Sequence, residues 1–402
     1  MTTRALGGAS TALERAPQSE ETSAGTPSTA STASIPWYLW AVVFASTSVV
    51  VGVIWDISWH RTIGRDTFWT PAHLAIYLGG ATAGLACGWL VLRTTFAGST
   101  ADRSAGVTFW GFRGPLGAWV CIWGSFAMIA SGPFDDWWHN AYGLDVTILS
   151  PPHTVLAAGI VAIQVGAMLM ALAQQNNRSD ARLLQLLFTY AGGVLLLMMA
   201  TLATEETAFP NSHRGSLFYM VSGGLFPIFL VGISRASPLG WGAAASSAFY
   251  MLFLMMMIWI LQLFPAEPLL GPILRPVDNM VPPAFPILLV VPALAIDVIA
   301  RALPRPTPRL RAWVTSVLLG AAFVLVLLAV QWFFSAFLLS EGARNYFFAA
   351  DQWDYNSGPG PWQHEYWDGP LTARGLGWAV LIGAVSARIG LWWGDWMNRV
   401  RR

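Results

Sequence analysis

Two short stretches of the chain bring carboxylates and imidazoles together at repeated spacings. The first reads Asp56-Ile-Ser-Trp-His60, then Asp66, then Pro71-Ala-His73; the second reads Asp135-Asp-Trp-Trp-His139, then Asp145, then Pro151-Pro-His153. In both, the first histidine follows the carboxylate by four residues, and the next aspartate follows that histidine by six. The last histidine comes 13 residues after the first in one copy and 14 in the other, and the copies begin 79 residues apart. Residues four apart share a helix face, so Asp56 and His60 point together, as do Asp135 and His139. His73 and His153 each stand just past a proline that suits a helix start. One helical hairpin thus returns a second imidazole to the carboxylate of its first helix. Two histidines and one carboxylate with open positions suit Cu(II), Fe(II), Zn(II) or Ni(II). A carboxylate in a low-dielectric setting is costly unless paired or metal-bound. Such helix-end residues can also serve by bonding backbone and water, but two triads of matched spacing favour a metal site. Asp66 and Asp145 recur at matched positions and are expected to orient a ligand histidine.

The elements that must carry these residues are membrane helices. Of 402 residues 55% are hydrophobic and only 11% are Asp, Glu, Lys or Arg, with a mean hydropathy of +0.53. A soluble domain carries about twice that charged fraction, which disfavours a soluble enzyme or a disordered chain. The net charge of +1 offers no broad basic surface, so no nucleic-acid partner is expected. Residues 1–35 hold thirteen Ser or Thr and no aromatic residue, the composition of a disordered tail. Ten apolar stretches follow, at 35–55, 71–92, 114–134, 151–173, 183–203, 215–234, 241–264, 281–300, 312–340 and 375–394, each long enough for a bilayer that needs about 20 helical residues. The expected fold is an all-α polytopic membrane protein of about ten transmembrane helices. All basic residues are arginine, and 15 of the 22 fall in the terminal tails and even-numbered loops. The positive-inside rule then puts both termini in the cytoplasm. All six histidines and 14 of the 21 acidic residues lie in the odd-numbered loops or at the helix ends beside them, so the chemistry is expected on the outer face. Cys87 and Cys121 lie in apolar stretches without metal-type spacing and read as packing residues.

The two motifs resemble those of the C subunit of the copper membrane monooxygenases, the family of particulate methane and ammonia monooxygenases. Asp56-Ile-Ser-Trp-His60 with Arg65-Asp-Thr-Phe-Trp-Thr-Pro-Ala-His73 looks like that subunit's first copper motif, and Asp135-Asp-Trp-Trp-His139 through Pro152-His153 looks like its second. The second motif usually begins with Asn; Asp135 in its place changes the charge of that site, and with it the expected affinity or metal. The resemblance covers roughly residues 36–175, under half the chain. It implies copper at Asp56, His60 and His73, and at Asp135, His139 and His153. It also implies O2-dependent hydroxylation of a small apolar substrate or ammonia, electrons from quinol, and partner subunits, one with a soluble copper-binding domain. Ligand type alone leaves zinc and iron open. Two other classes stand beside this one: a copper carrier or insertion protein without redox chemistry, and a structural subunit that uses the hairpins for assembly. A transporter should line a path through the bilayer with polar groups, whereas nearly all ionisable groups here gather at the outer ends.

On this basis residues 36–175 form a four-helix metal-binding core and residues 241–402 an additional transmembrane region. Between them, Glu205 and Glu206 end the fifth span and His213 opens the sixth. That pattern over 176–240 fits a degenerate third hairpin or an interfacial turn with solvated charges. The outer loop 341–374 carries Asp351, Asp354, His364, Glu365 and Asp368 among Trp and Tyr; it suits a functional lid or, more simply, an aromatic interfacial belt. Met251, Met255, Met256 and Met257 sit mid-helix and are expected to pack.

Overall fold

The computed structural model describes residues 34–64, 69–143, 150–177, 182–207, 212–269, 277–303, 309–350 and 370–400. Its helices are α1 (Trp37–Thr62), α2 (Pro71–Phe96), the short α3 (Thr100–Ala105), α4 (Leu116–Tyr142), α5 (Pro151–Asn176), α6 (Arg182–Thr207), α7 (Ser216–Ala236), α8 (Gly242–Leu261), α9 (Val290–Ala302), α10 (Arg309–Leu338) and α11 (Ala373–Met397). A two-stranded hairpin, β1 (Val107–Phe109) and β2 (Phe112–Gly114), joins α3 to α4. Nine of the described helices are long and apolar enough to cross a membrane. The protein is an all-α polytopic membrane protein, as its composition implies.

The repeat seen in the sequence is also a repeat of packing. Gly79 of α2 lies so close to α1 that a Cβ there would stand 2.7 Å from Ala45 O and 3.0 Å from Val49 N. Gly159 of α5 lies on α4 in the same way, 2.7 Å from Gly124 O and 2.9 Å from Met128 N. The α1 and α4 partners are each 79 positions apart, and the two glycines 80. Small residues at such crossings let helix backbones approach, the usual basis of helix association in lipid. Each first helix then ends on a glycine with positive φ, +89° at Gly64 and +92° at Gly143, again 79 apart. Gly64 N–H and Gly143 N–H turn back to the Trp59 and His139 carbonyls, the close of a helix at a left-handed residue.

The expected eighth span differs from the structure. Residues 281–300 were expected to be one helix, yet helix begins only at Val290. Pro282, Pro283 and Pro286 lack the N–H of a helical residue and clash with the preceding turn, which keeps the first half extended. The segment nonetheless runs the whole length of α8. At one end Pro265 and Asn279 form an antiparallel bridge just beyond α8; at the other, Asp297 accepts from the N–H groups of Ala243 and Ala244, which open α8. The segment is half extended and half helical. In lipid, extended backbone is tolerated only where protein satisfies it, and here buried side chains do so. Ser58 Oγ donates to Val281 O (2.6 Å) and Val281 N–H donates to Thr62 Oγ1 (2.8 Å). Ile287 N–H donates to the Tyr250 hydroxyl (2.9 Å) and Leu288 N–H to Gln331 Oε1 (3.0 Å).

The start of α1 and the end of α11 lie at the end of the bundle opposite the histidine motifs. Trp37 stacks near Trp89, in the last part of α2, and Asn176 at the end of α5 donates to the Met397 and Val400 carbonyls. Within the tenth expected span, Arg388 lies over the Trp313 ring at 6.0 Å, a partner for a charge on a membrane helix.

Candidate metal centre

Each hairpin closes a carboxylate between two imidazoles. In the first, Asp56 Oδ1 lies 3.2 Å from His73 Nε2 and Asp56 Oδ2 lies 3.7 Å from His60 Nε2. In the second, Asp135 Oδ1 lies 3.5 Å from His153 Nε2 and Asp135 Oδ2 lies 3.4 Å from His139 Nε2. The local causes are the ones the spacing suggests. One helical turn sets the aspartate below the first histidine, and the capped start of the next helix presents the second. Thr70 Oγ1 accepts from His73 N–H and Ser150 Oγ accepts from His153 N–H. Each cap precedes a proline at the first helical position, so φ and the first turn are fixed where the ligand projects.

In each triad one carboxylate oxygen keeps unused acceptor capacity. Asp56 Oδ1 and Asp135 Oδ1 are buried and accept no hydrogen bond, although an imidazole nitrogen stands within 3.5 Å of each. His139 Nδ1 meets Gly143 O at 3.2 Å, and a ligand histidine is commonly fixed by the bond its other ring nitrogen makes. Donors about 2.1 Å from a tetrahedral centre stand about 3.4 Å apart, close to the Asp–His separations here. No group of three or more His, Cys, Asp or Glu among the described residues closes into a coordination shell. Each triad is an open fork whose two imidazoles must turn toward each other to share one ion.

Other expected residues fall elsewhere. Asp66, Asp145, His364 and the acidic residues at 351–368 lie outside the described residues, as do the side chains of Glu205 and Glu206. His213 is buried in a 3-10 turn (Ser212–Arg214) before α7. Its Nδ1 accepts from Gln331 Nε2 of α10 at 2.9 Å, and its ring stacks on Phe218. Through Gln331 it is linked to the extended crossing at Leu288. Cys87 and Cys121 are free and buried, and Met257 is buried while Met256 is exposed. Sequence reasoning missed the caps Thr70 and Ser150 and the close-packed glycines Gly79 and Gly159. Their signal was present in the 80-residue offset that His73 and His153 share with them.

Fold and site together define a polytopic helical membrane protein with two copies of a carboxylate–dihistidine hairpin at one end of its bundle. No family model, curated protein or solved structure matches the chain.

Proposed function

We propose that the chain is the copper-binding membrane subunit of an O2-dependent monooxygenase that hydroxylates a short alkane or ammonia. It would draw electrons from quinol and work with other subunits, including a soluble copper-binding one. The observation that carries this reading is the repetition of the same open fork at equivalent positions, with a buried, unbonded carboxylate oxygen in each. The resemblance of both motifs to the copper monooxygenase C subunit supplies the reaction class. Asp56, His60 and His73 would hold one ion, and Asp135, His139 and His153 a second. Copper, when bound, supplies the redox chemistry with O2. The chain contributes placement: one helical turn sets each aspartate beside the first histidine, and the caps hold the helix start from which the second projects.

The test is metal content and copper EPR of protein extracted from copper-replete membranes. The expected result is copper that falls by one site in His60→Ala, by the other in His139→Ala, and to none in the double variant. Protein that carries no copper, or copper that neither substitution removes, overturns the assignment. With copper present, the absence of O2 consumption with any alkane or ammonia, partner subunits included, removes the monooxygenase reading and leaves a copper-binding protein.

A further inference from the structure

The hairpin β1–β2 lies at the end of the bundle opposite the triads, between α2 and α4. Its pairs Phe109↔Phe112 and Val107↔Gly114 turn one apolar face toward those helices. Phe109 meets Trp119 and Trp123 of α4, with ring centroids 5.5 Å away in both cases, and Phe112 meets Phe96 of α2 at 6.1 Å. The turn puts Trp110 at its tip, 79% exposed and 5.7 Å from Trp123.

The depth of that tip follows from α4. Its 27 residues span about 40 Å, more than the hydrocarbon thickness of about 30 Å. With Asp135 at one edge of the hydrocarbon, the other edge falls about 20 residues back, near Leu116. Trp123 is seven residues further in, about 10 Å along the axis. From there Trp123, Phe126 and Ile129 form an exposed apolar stripe on α4, so the hairpin rests on the face that meets lipid. We propose that β1–β2 is a re-entrant anchor that dips into a phospholipid leaflet, with Trp110 among the acyl chains and Arg93, Arg103 and Arg113 at the level of the phosphates.

Three further features agree. A strand edge in lipid must have its backbone groups satisfied; Trp119 Nε1 donates to Val107 O, and Thr95 Oγ1, which donates mainly to Val91 O, accepts from Arg113 N–H. The turn residues Trp110 and Gly111 have φ of +48° and +82°. A turn of this kind in water favours Asn or Asp at its first position, whereas a large indole suits an apolar surrounding. Finally, tryptophan with neighbouring arginine is the usual composition of the boundary between acyl chains and headgroups.

The experiment places a nitroxide on Trp110→Cys in the full chain with Cys87→Ala and Cys121→Ala, reconstituted in phosphatidylcholine–phosphatidylglycerol vesicles. Collision with O2, which concentrates among acyl chains, is compared with collision with a water-soluble nickel chelate. The label at position 110 is expected to favour O2 several-fold, like a label on Phe126→Cys and unlike one on Arg103→Cys. A label that favours the chelate places the hairpin in water and overturns the proposal. Low collision with both places it under protein, a second copy or a partner subunit, and overturns it equally. Should Trp110→Cys fail to fold, Phe112→Cys beside the turn, 37% exposed in the wild-type chain, serves for the same comparison.

Discussion

In the α1–α2 hairpin, the helix that carries Asp56 is tied to the second half of the chain. Ser58 and Thr62 bond both backbone groups of Val281, and Ile63 O accepts from Leu269 N–H. The corresponding positions of α4, 79 residues on, are Trp137 and Ala141, both exposed. There the end of the helix carries an aromatic cluster: Trp137 stacks with Phe134, and Trp138 packs on Tyr142 at 4.5 Å. The Asp56 side chain is correspondingly less exposed than that of Asp135, 21% against 32%. The forks themselves are nearly the same. The repeated spacing accounts for the donor geometry, and the bonds from Val281 and Leu269 buttress the end of α1 that carries Asp56.

The largest effects should come from the contacts that the hairpins share. In Gly79→Val the new Cβ stands 2.7 Å from the Ala45 carbonyl oxygen, and in Gly159→Val 2.7 Å from that of Gly124. Backbone cannot give way as a side-chain tip can, so each substitution should cost about 3 kcal/mol or more, the upper end of overpacking. Each should also abolish metal binding at its own triad and spare the other. Thermal unfolding in detergent and site-resolved copper titration check both points. Loss of both sites from either substitution would show that the hairpins do not fold as separate packing units.

The next effect sharpens the asymmetry. Thr62→Val keeps the shape of the side chain but leaves Val281 N–H without its acceptor. A buried, unsatisfied donor costs about 1–3 kcal/mol. If about 1.4 kcal/mol of that reaches the placement of Asp56 and His60, copper affinity at the first triad falls about tenfold. Ala141→Val, at the exposed position that corresponds to Thr62, should change affinity at the second triad by less than about twofold, because exposed surface substitutions usually act within ±0.5 kcal/mol. Equal losses in the two variants would remove the buttress from the argument.

The sequence makes the donor set legible because helical periodicity forces it: four residues bring Asp56 to His60 whatever surrounds them. Nine of the ten expected spans are helices for the same reason, since apolar length alone determines them. The exception is instructive. Residues 281–300 satisfy the hydropathy rule, yet Pro286 falls in the second turn of any helix begun at 281, where it lacks the N–H and clashes with the carbonyl four residues back. Composition could not reveal what makes an extended crossing tolerable, because its partners Ser58, Thr62, Tyr250 and Gln331 lie between 37 and 223 residues away. The role of His213 was hidden in the same way. Its motif spacing suggests a third fork, but its described hydrogen-bond partner is Gln331, 118 residues distant.

The smallest effects should belong to the caps, and there the two hairpins ought to agree. Thr70 Oγ1 and Ser150 Oγ accept from the histidine N–H groups at 3.4 Å and 3.3 Å, long for such bonds. Thr70→Ala and Ser150→Ala should therefore each cost about 0.5–1 kcal/mol, the low end for a helix cap. Because His73 and His153 project from the turn that the cap holds, each loss should appear as a two- to threefold fall in copper affinity at the same hairpin, about 0.5 kcal/mol. Thr70→Ser should restore both quantities, since the hydroxyl rather than the methyl does the capping. The second helices α2 and α5 share their caps and their close-packed glycines, so the buttress on α1 should leave no trace in this pair. A cost at Thr70 clearly above that at Ser150 would mean that the support from the extended crossing passes through α1 into α2 and reaches all three donors of the first fork.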